Sequence, residues 1–512
     1  MSRCCLIAFF FWASFVFAQK EAFNWQFGNK ADISFHSKPP APKHKSQMYS
    51  NEGCASISSS DGQLLFYSNG ESVWDSTHNI MPNGNGLYGS NTTAQACIAL
   101  PYPNKNDQYV LFTLDQIYGT HGLNYSVIDM SLNSGKGNVI NTQKNIPLIP
   151  QAQVTEKLSA VLHANGRDYW IICPQAGSDS FYAFLLDPSG VHSKAVMSNT
   201  HFNLAWKTGT DKIGCLKSSP NGQYFAFANI NMDTLVFGQF NNQTGKITNA
   251  WSLYVPQCYG VEFSPNSQVL YVTQPTIFRI QQYVCNSSNK AAFISSLKYI
   301  ANVQYPYGIQ LGPDEKIYVN CLSRDDISVI HAPDSIGAAC RFQYRAIQLS
   351  SYFKDSRLGL PQYLPQYLFG NDIQIQNQCV NDTTHFSFQN NNRDSAFWDF
   401  GDSGSINNQV SGTQNIYHLY KKPGRYTIKI NYYKQGLAYN KYLSINIYQT
   451  VGIKVNKDTN ICLNQTAQLF VVNGKQLKQI QWPSGSHQDT LYTNTQGPVS
   501  YTHLTLPTIC SV

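Results

Sequence analysis

The sequence predicts an all-β protein in which an N-terminal β-propeller is followed by smaller β-sandwich domains. Two features lead to this prediction. A polar turn followed by an aromatic or aliphatic strand recurs six times before residue 330. Beyond residue 380, apolar and polar residues alternate as they do in half-buried strands. The 512 residues suffice for about two to four domains of ordinary size.

The composition favours an exported protein. Charged residues make up 13% of the chain, against roughly 25% in an average soluble domain. Asn, Gln, Ser, Thr and the 32 Tyr must therefore supply the polar surface. The net charge of +7 is dispersed, with no run of five or more Lys or Arg. Because a nucleic-acid site needs a concentrated basic patch, we expect no nucleic-acid partner.

The first 18 residues have the layout of a secretory signal peptide. Arg3 is the only charge before Lys20, and Leu6–Phe17 is almost wholly apolar. Small residues precede a cleavage site between Ala18 and Gln19. A membrane anchor is the alternative, but the apolar run is shorter than the roughly 20 residues that a spanning helix needs. We therefore expect cleavage, a secreted or cell-surface location and no transmembrane segment.

The 13 cysteines are scattered, and two would leave with the signal peptide. No Cys-x-x-Cys occurs, which disfavours a zinc ribbon or a thioredoxin-like site. Cys321 and Cys340 are the nearest candidates for a disulfide. Most of the others, such as Cys173 and Cys215, lie in apolar strand-like runs, where we expect buried free thiols.

The recurring turn and strand assign residues 19–370 to the propeller. The copies lie at Ser60–Tyr67, Asn106–Phe112, Asn165–Ile172, Ser219–Phe227, Ser264–Val272 and Gly312–Val319. The last three start 45 and 48 residues apart, and three to four short strands per such repeat are typical of a propeller blade. A seventh blade would combine Phe23–Phe35 with residues 341–368. We predict seven blades, with six or eight, or an array of β-sandwiches, as the alternatives. Leu360–Tyr367 is predicted to be a stiff exit from the propeller.

Residues 371–449 are predicted to form a separate β-sandwich, because they contain two motifs with strand alternation. The motif residues are Trp398, Asp399, Phe400, Gly401 and Asp402, followed by His418, Tyr420, Pro423, Gly424 and Tyr426. Both motifs resemble those of the PKD (polycystic kidney disease) domain, which implies an immunoglobulin-like sandwich. Ser403 replaces the last Gly of the family's first motif, so we expect a remodelled turn there. Alternation places Trp398 and Phe400 in the core.

Segments farther upstream resemble a secreted family of Bacteroidetes. They include Asn24–Gly28, Asn51–Ala55, Trp74–Asp75, Met81–Gly84 and Gly122–Met130. Members combine a propeller-like region with PKD or Ig-like repeats and a C-terminal gliding-motility or type IX secretion sorting domain. The resemblance implies a secreted or surface location, and export machinery that acts through a sorting domain missing from this chain. It implies no ligand and no catalytic residues.

Three motifs that suggest chemistry are set aside. Gly401–Gly404 spells a serine-protease nucleophile stretch but lies within the PKD-like turn, with no matching histidine segment upstream. Gly84–Gly89 satisfies G-x-G-x-x-G without the flanking strand and helix of a dinucleotide site, so we expect a loop. Calcium binding by Asp399 and Asp402 is an alternative, although a structural role in the turn fits two carboxylates better. We therefore expect no catalytic, cofactor-binding or metal-ligating residues.

The C-terminal segment is predicted to begin a second Ig-like domain at residues 450–498, in which Cys462 needs a disulfide partner. Residues 499–512 are different in character. Val499–Thr508 resembles one reading frame of a transposon-type library adapter, so we expect a sequencing artefact and a longer natural chain. The alternative is an ordinary strand, since His503–Leu506 alternates.

These features favour a non-enzymatic, exported binding or adhesion protein. The propeller would recognise a glycan or a cell-surface protein through loops on a rigid scaffold, and the sandwich domains would act as spacers. The alternative is an extracellular hydrolase or lyase that acts on polysaccharide in the central depression of the propeller. Convergent carboxylates at that depression would favour the enzyme, whereas a surface of aromatic and amide groups would favour binding.

Overall fold

The structure is a computed structural model in which antiparallel β-sheets dominate. It describes residues 16–17, 20–105, 107–200, 212–285, 289–349, 355–365, 373–388, 393–434, 437–448, 467–470, 479–481, 490–493 and 503–505. The predicted cleavage site at Ala18 and Gln19 lies outside these residues. Among the described residues, no helix combines the length and apolarity needed to cross a bilayer.

Six antiparallel sheets, sheets one to six, follow one another along residues 54–348, and most neighbouring strands within a sheet are consecutive in the chain. Sheets one and two contain Cys54–Ser58, Leu64–Ser68, Ser72–Asp75 and Ile80–Asn85, then Cys97–Pro101, Gln108–Leu114, Leu123–Asp129, Asn138–Val139 and Ile146–Ile149. Sheets three and four contain Ser159–Leu162, Tyr169–Pro174, Ser180–Asp187, Gly190–Val191 and Val196–Asn199, then Leu216–Ser218, Tyr224–Asn229, Thr234–Asn241 and Lys246–Tyr254. Sheets five and six contain Val261–Phe263, Val269–Gln274, Arg279–Val284 and Lys298–Asn302, then Pro306–Leu311, Ile317–Cys321, Asp326–Ile330 and Phe342–Gln348.

The recurring sequence phrase corresponds to the turn between the first and second strands of a sheet, as predicted. One turn position has a left-handed backbone in five sheets, at Gly62, Gly166, Gly222, Ser267 and Glu315, with φ of 93°, 72°, 69°, 63° and 63°. In each case the N–H of that residue donates to the carbonyl three residues earlier. Glycine suits this position because it adopts positive φ without steric cost.

Gly222→Ala is expected to lower the free energy of unfolding by about 1–2 kcal/mol, because the added Cβ meets both backbone strain and crowding. The Cβ would lie 3.2 Å from the Asn242 side-chain nitrogen and 3.3 Å from a Val161 methyl group. Gly404→Ala is the control, since its Cβ would meet nothing closer than 3.9 Å. Urea denaturation measures the free energy of unfolding of both variants. Equal losses of stability would contradict the left-handed turn assigned to Gly222.

The six sheets are arranged as in a β-propeller-like fold, with a hairpin packed between sheet six and sheet one. The hairpin strands are Asn24–Phe27 and Ala31–Ser34. Trp25 contacts Tyr318 of sheet six and Tyr363, with ring centroids 5.3 and 6.0 Å apart. Pro361–Gln362 runs parallel to the first strand of sheet one and pairs with it. Pro361–Tyr363, within the predicted stiff exit Leu360–Tyr367, are buried against the propeller.

The ring has two faces. The upper face is the end at which the first strand of each sheet begins, and it also carries the connections between second and third strands. The lower face carries the turns between first and second strands. These two names are used below in this sense.

The second body is a sandwich of two antiparallel sheets around one apolar core. One sheet contains Val16–Phe17, Ile373–Gln376, Thr383–Phe388 and Ile416–Leu419, and the other contains Gln409–Ser411, Ser395–Asp399, Gly424–Lys434 and Leu437–Ile447. Trp398 and Phe400 are fully buried, as alternation predicted. Gly401 has φ of +68°, and a Cβ there would lie 2.3 Å from the Thr427 carbonyl oxygen, so this motif glycine is required.

The sandwich contacts the lower face of the propeller. A Cβ at Gly166, in the first turn of sheet three, would lie 3.1 Å from Cβ of Thr427. The Arg425 charge acts on Glu21 and on Tyr109 of sheet two. Burial raises the pKa of Glu21 to about 7, and Arg425 opposes that rise. The upper face lies at the opposite end of the ring from these contacts.

The remaining elements are short. They are the helix Lys290–Ser295, the 3₁₀ turns Asn133–Gly135, Asn141–Gln143, Gln151–Gln153, Ile230–Met232 and Gly337–Cys340, and the strand pairs Ala467–Phe470 with Thr490–Thr493 and Gln479–Gln481 with His503–Thr505. The last pair includes part of the segment predicted to be an artefact.

The cysteines correct one prediction. Cys321 and Cys340 are both free and buried, so they do not form the suggested disulfide. Cys321 ends the second strand of sheet six at the upper face, whereas Cys340 lies beyond the third strand at the lower face. A strand of five residues spans roughly 13 Å, farther than a disulfide reaches. Cys173 is a buried free thiol as predicted, Cys215 is free and half-buried, and Cys379 is disulfide-bonded.

Candidate functional site

The candidate site lies where the first strands begin. Glu52, Gln95 and Tyr259 each stand two residues before a first strand, and Glu156 stands three before one. In a ring of sheets the first strands surround the axis, so these side chains converge at the upper face. None was singled out from the sequence, because each comes from a different sheet.

Gln95 marks the axis of the ring. Its side-chain oxygen accepts hydrogen bonds from the backbone N–H of Leu158 at 3.0 Å and of Leu216 at 2.7 Å. Its amide donates to the Leu216 carbonyl at 2.9 Å and to the side-chain oxygen of Gln362 at 2.8 Å. The Gln95 side chain, which comes from sheet two, thus reaches sheets three and four. It also reaches the strand that pairs with sheet one. A side chain with contacts to all of these sheets must lie at the centre of the ring.

A second set of polar groups fills the axis. Lys217 Nζ lies 3.2 Å from Glu262 Oε2 and also donates to the side-chain oxygen of Gln310. The Glu262 carboxylate accepts from the N–H of Leu311 at 3.0 Å and of Phe263 at 2.9 Å. All three polar side chains are buried. These charges neutralise one another, so this part of the axis is a structural plug.

The mouth of the axis at the upper face contains Glu52, Tyr259 and Tyr307. The Tyr259 hydroxyl donates to Glu52 Oε2 at 3.1 Å, and the two tyrosine rings meet edge to face with centroids 5.1 Å apart. Burial, followed by the charge of Glu156, raises the pKa of Glu52 to about 8. At neutral pH this half-buried carboxyl therefore keeps its proton and has an O–H to donate.

Glu156 has a structural role beside the mouth. Its two oxygens accept from the backbone N–H of Ala94 at 3.0 Å and of Ile117 at 2.9 Å. Its own N–H donates to the Lys212 carbonyl at 3.0 Å. Lys157 Nζ donates to the same carbonyl at 2.7 Å, and burial lowers the Lys157 pKa to about 8. Glu156 thus joins the upper loops of sheet two to sheet three.

Exposed aromatic side chains are concentrated on the upper face. Among the described residues 20–365, the exposed aromatic residues on upper-face loops and strand ends are Tyr49, Tyr88, Tyr118, Tyr254, Phe278 and Tyr305. The two others exposed in that part of the chain, Tyr299 and Tyr344, lie on fourth strands. Tyr118 and Tyr254 are 74% and 75% exposed. The upper face therefore presents separate aromatic rings around a polar mouth.

A short sequence signal accompanies the mouth. Glycine follows three of the residues described above, at Gly53, Gly260 and Gly308. A Cβ at Gly53 would lie 2.2 Å from the Ala96 nitrogen, and one at Gly260 would lie 2.4 Å from the Tyr307 carbonyl oxygen. Glycine therefore permits the close approach of neighbouring sheets. A polar or aromatic residue followed by Gly, at the start of the first strand or just before it, marks the mouth in sheets one, five and six.

The PKD-like motif residues come together in the sandwich and support its turns. Asp399 accepts from the Gly401 N–H and from the side-chain amides of Asn408 and Gln409 at 2.8–3.0 Å. Asp402 Oδ2 lies 3.0 Å from His418 Nε2. The hydroxyls of Tyr420 and Tyr426 donate to the carbonyls of Phe400 and Lys422. Through these contacts Asp399 and Asp402 support the turns of the sandwich.

Two further motif segments, Gly84–Gly89 and Pro423–Gly424, have defined places in the structure. Gly84 and Asn85 belong to the strand Ile80–Asn85, so the loop predicted for Gly84–Gly89 begins only after that strand. Pro423–Gly424 leads directly into the long strand Gly424–Lys434. Within the described parts of the chain, no three His, Cys, Asp or Glu side chains converge as metal ligands.

The comparisons with known proteins found similarity to solved structures only. No family model and no curated protein matches the chain. A protein from Lactobacillus plantarum is 12% identical, with a TM-score of 0.40, covering 66% of this chain and 98% of that one. A candidate 6-phosphogluconolactonase from Bacteroides uniformis is 12% identical, with a TM-score of 0.36, covering 69% and 91%. Likeness at this level carries no argument about activity.

Proposed function

We propose that the chain is an exported, non-enzymatic binding protein that holds its ligand on the upper face of a seven-bladed propeller. The observation that carries the proposal is the concentration of exposed aromatic rings on that face, around Glu52 and Tyr307. Recognition residues are commonly placed on loops that a rigid scaffold positions. The hairpin Asn24–Ser34 together with Pro361–Gln362 supplies the seventh blade, because it packs between sheet six and sheet one.

The position of the sandwich supports a spacer role. It contacts the lower face, at the opposite end of the ring from the upper face. We take the sandwich as a PKD domain and the first 18 residues as a cleaved signal peptide, whose removal takes the edge strand Val16–Phe17 away from the sandwich. The secreted or cell-surface location rests on that signal, on the low charge and on the resemblance to the Bacteroidetes family. In this arrangement the sandwich holds the binding face away from the cell envelope.

Blocking the upper face tests the proposal without knowledge of the ligand. Tyr118→Cys, labelled with maleimide-polyethylene glycol, places a bulky polymer on that face. Leu132→Cys is the matched control, because Leu132 is 39% exposed on the lower-face connection of the same sheet. We expect the polymer at position 118 to reduce binding of the intact chain to immobilised bacterial cell envelopes by about 10-fold or more, which corresponds to about 1.4 kcal/mol.

The control decides the outcome. The labelled Leu132→Cys protein should bind like the unlabelled chain. If both labels block binding equally, or if neither does, the upper face is not the binding face and the proposal fails.

A hydrolase or lyase is the second candidate, and Glu52 is the observation that favours it. A carboxyl with a pKa near 8 beside a second carboxyl is suited to act as a general acid. Against this, both oxygens of Glu156 are already held by backbone N–H groups. Release of reducing ends from a polysaccharide by the intact chain, abolished by Glu52→Gln, would establish the enzyme and overturn the binding-only proposal.

A further inference from the structure

We propose that the ligand of the upper face is an uncharged oligosaccharide, with one sugar hydrogen-bonded at the mouth by Glu52 and Tyr307 and neighbouring sugars stacked on the surrounding aromatic rings. This inference rests on the proposed function and specifies its ligand. It follows from three properties of the upper face: its charge, the order of polar and apolar groups, and the distribution of the exposed rings over several sheets.

The charge of the mouth disfavours an ionic ligand. The described cations near the axis already interact with other groups of the protein. Lys217 is paired with Glu262, and the buried Lys157 donates to a carbonyl. Arg357 lies 3.0 Å from Asp355 and stacks on Tyr49. Lys212 acts on Glu156, and Glu52 keeps its proton at neutral pH. The described groups at the mouth therefore offer an ionic ligand no unbalanced counter-charge. Burying a charge without a partner is costly.

The order of groups disfavours a protein partner. A protein interface has an apolar centre and a polar rim. The upper face has the reverse order, with the hydrogen-bonded pair Glu52 and Tyr259 at the centre and exposed rings such as Tyr118, Tyr254 and Phe278 around it. A sugar chain fits this order, because its hydroxyls need polar partners and its C–H faces stack on aromatic rings.

The distribution of the exposed rings over several sheets favours an extended ligand. The exposed rings belong to different sheets: Tyr118 to sheet two, Tyr254 to sheet four and Phe278 to sheet five. Phe278 is braced edge to face by Tyr305, with centroids 4.8 Å apart, and Tyr88 is stacked on His121 at 3.7 Å. Braced rings lose little conformational entropy on binding. A chain of several sugars contacts more than one of them at once.

The test is an oligosaccharide array probed with the intact chain. It carries neutral hexaoses of glucose, mannose, xylose and galactose, acidic oligogalacturonate and chondroitin sulfate, and cationic chitosan hexaose. We expect binding to at least one neutral hexaose and none to the charged ones. Tyr118→Ala and Phe278→Ala should each weaken binding about 10-fold, because each removes a ring on which a sugar stacks.

Tyr299→Ala and Tyr344→Ala are the matched controls, because these exposed rings lie on outer strands, and they should bind as the unmodified chain does. Preference for a charged oligosaccharide, or no binding to any, would overturn the inference. The proposed function would then still stand if the polymer at position 118 blocks binding to cell envelopes. Equal losses of affinity in all four alanine variants would also overturn the inference of an uncharged oligosaccharide.

Discussion

Glu262→Ala is expected to lower the free energy of unfolding by about 3–5 kcal/mol, because it leaves the buried Lys217 ammonium without its counter-ion. The change also removes the acceptor of two backbone N–H groups, from Leu311 and Phe263. Lys217 comes from sheet four, Glu262 from sheet five and Gln310 from sheet six, so the loss falls where three sheets meet. Urea denaturation followed by tryptophan fluorescence measures it.

The double variant Lys217→Met with Glu262→Gln is the control. Methionine removes the buried charge, and glutamine keeps a side-chain oxygen for the backbone N–H groups. A buried ion pair contributes little beyond a well-packed neutral replacement, so the double variant should recover most of the lost stability. A single-variant loss under about 1 kcal/mol, or a double variant as unstable as the single one, would contradict the structural plug.

The sequence was sufficient for features that depend on neighbouring residues. The turn before each second strand depends on a few adjacent positions, such as Asn221 and Gly222, and its left-handed position is present in five sheets. In the sheet-two copy, Asn106 lies outside the described residues. The burial of Trp398 and Phe400 follows from strand alternation in the same way. These are local properties of the chain, and a repeated local pattern is visible without a structure.

The axis could not be predicted, because its contacts join distant residues. Gln95 and Gln362 are 267 positions apart, and Glu52 and Tyr259 are 207 apart. Nothing in the alternation of one strand specifies which residue of another sheet it will face. The same limit explains the mistaken pairing of Cys321 with Cys340, since closeness in sequence was taken for closeness in space.

Binding of an uncharged ligand is expected to weaken as the pH rises through about 8. The folded pKa of Glu52 lies above its ordinary value of 4.5 because of burial. Glu52 therefore keeps its O–H below about pH 8 and loses it above that pH. If only the protonated form binds, the apparent affinity at about pH 9.5 should be about 30-fold weaker than at about pH 6.5.

Other groups around Glu52 also titrate. The variant Glu52→Gln distinguishes their effect on binding from the effect of Glu52. The titratable or charged groups on the packed elements are Glu156, Lys157, Lys212, Cys215, Tyr259, Tyr307, Asp355 and Arg357. Burial raises the pKa values of both tyrosines above 10. Lys157, with its pKa lowered to about 8, titrates in the same range as Glu52 but remains in the variant. The variant keeps a neutral side chain at every pH.

Calorimetric titration of the neutral hexaose bound most tightly on the array, into the unmodified chain and Glu52→Gln, tests the role of the axial mouth most directly. Both proteins should bind with similar affinity at about pH 6.5. At about pH 9.5 the unmodified chain should lose about 30-fold, whereas the variant should change by less than about 3-fold. Equal losses in the two proteins, or a pH-independent affinity of the unmodified chain, would show that Glu52 does not contact the ligand.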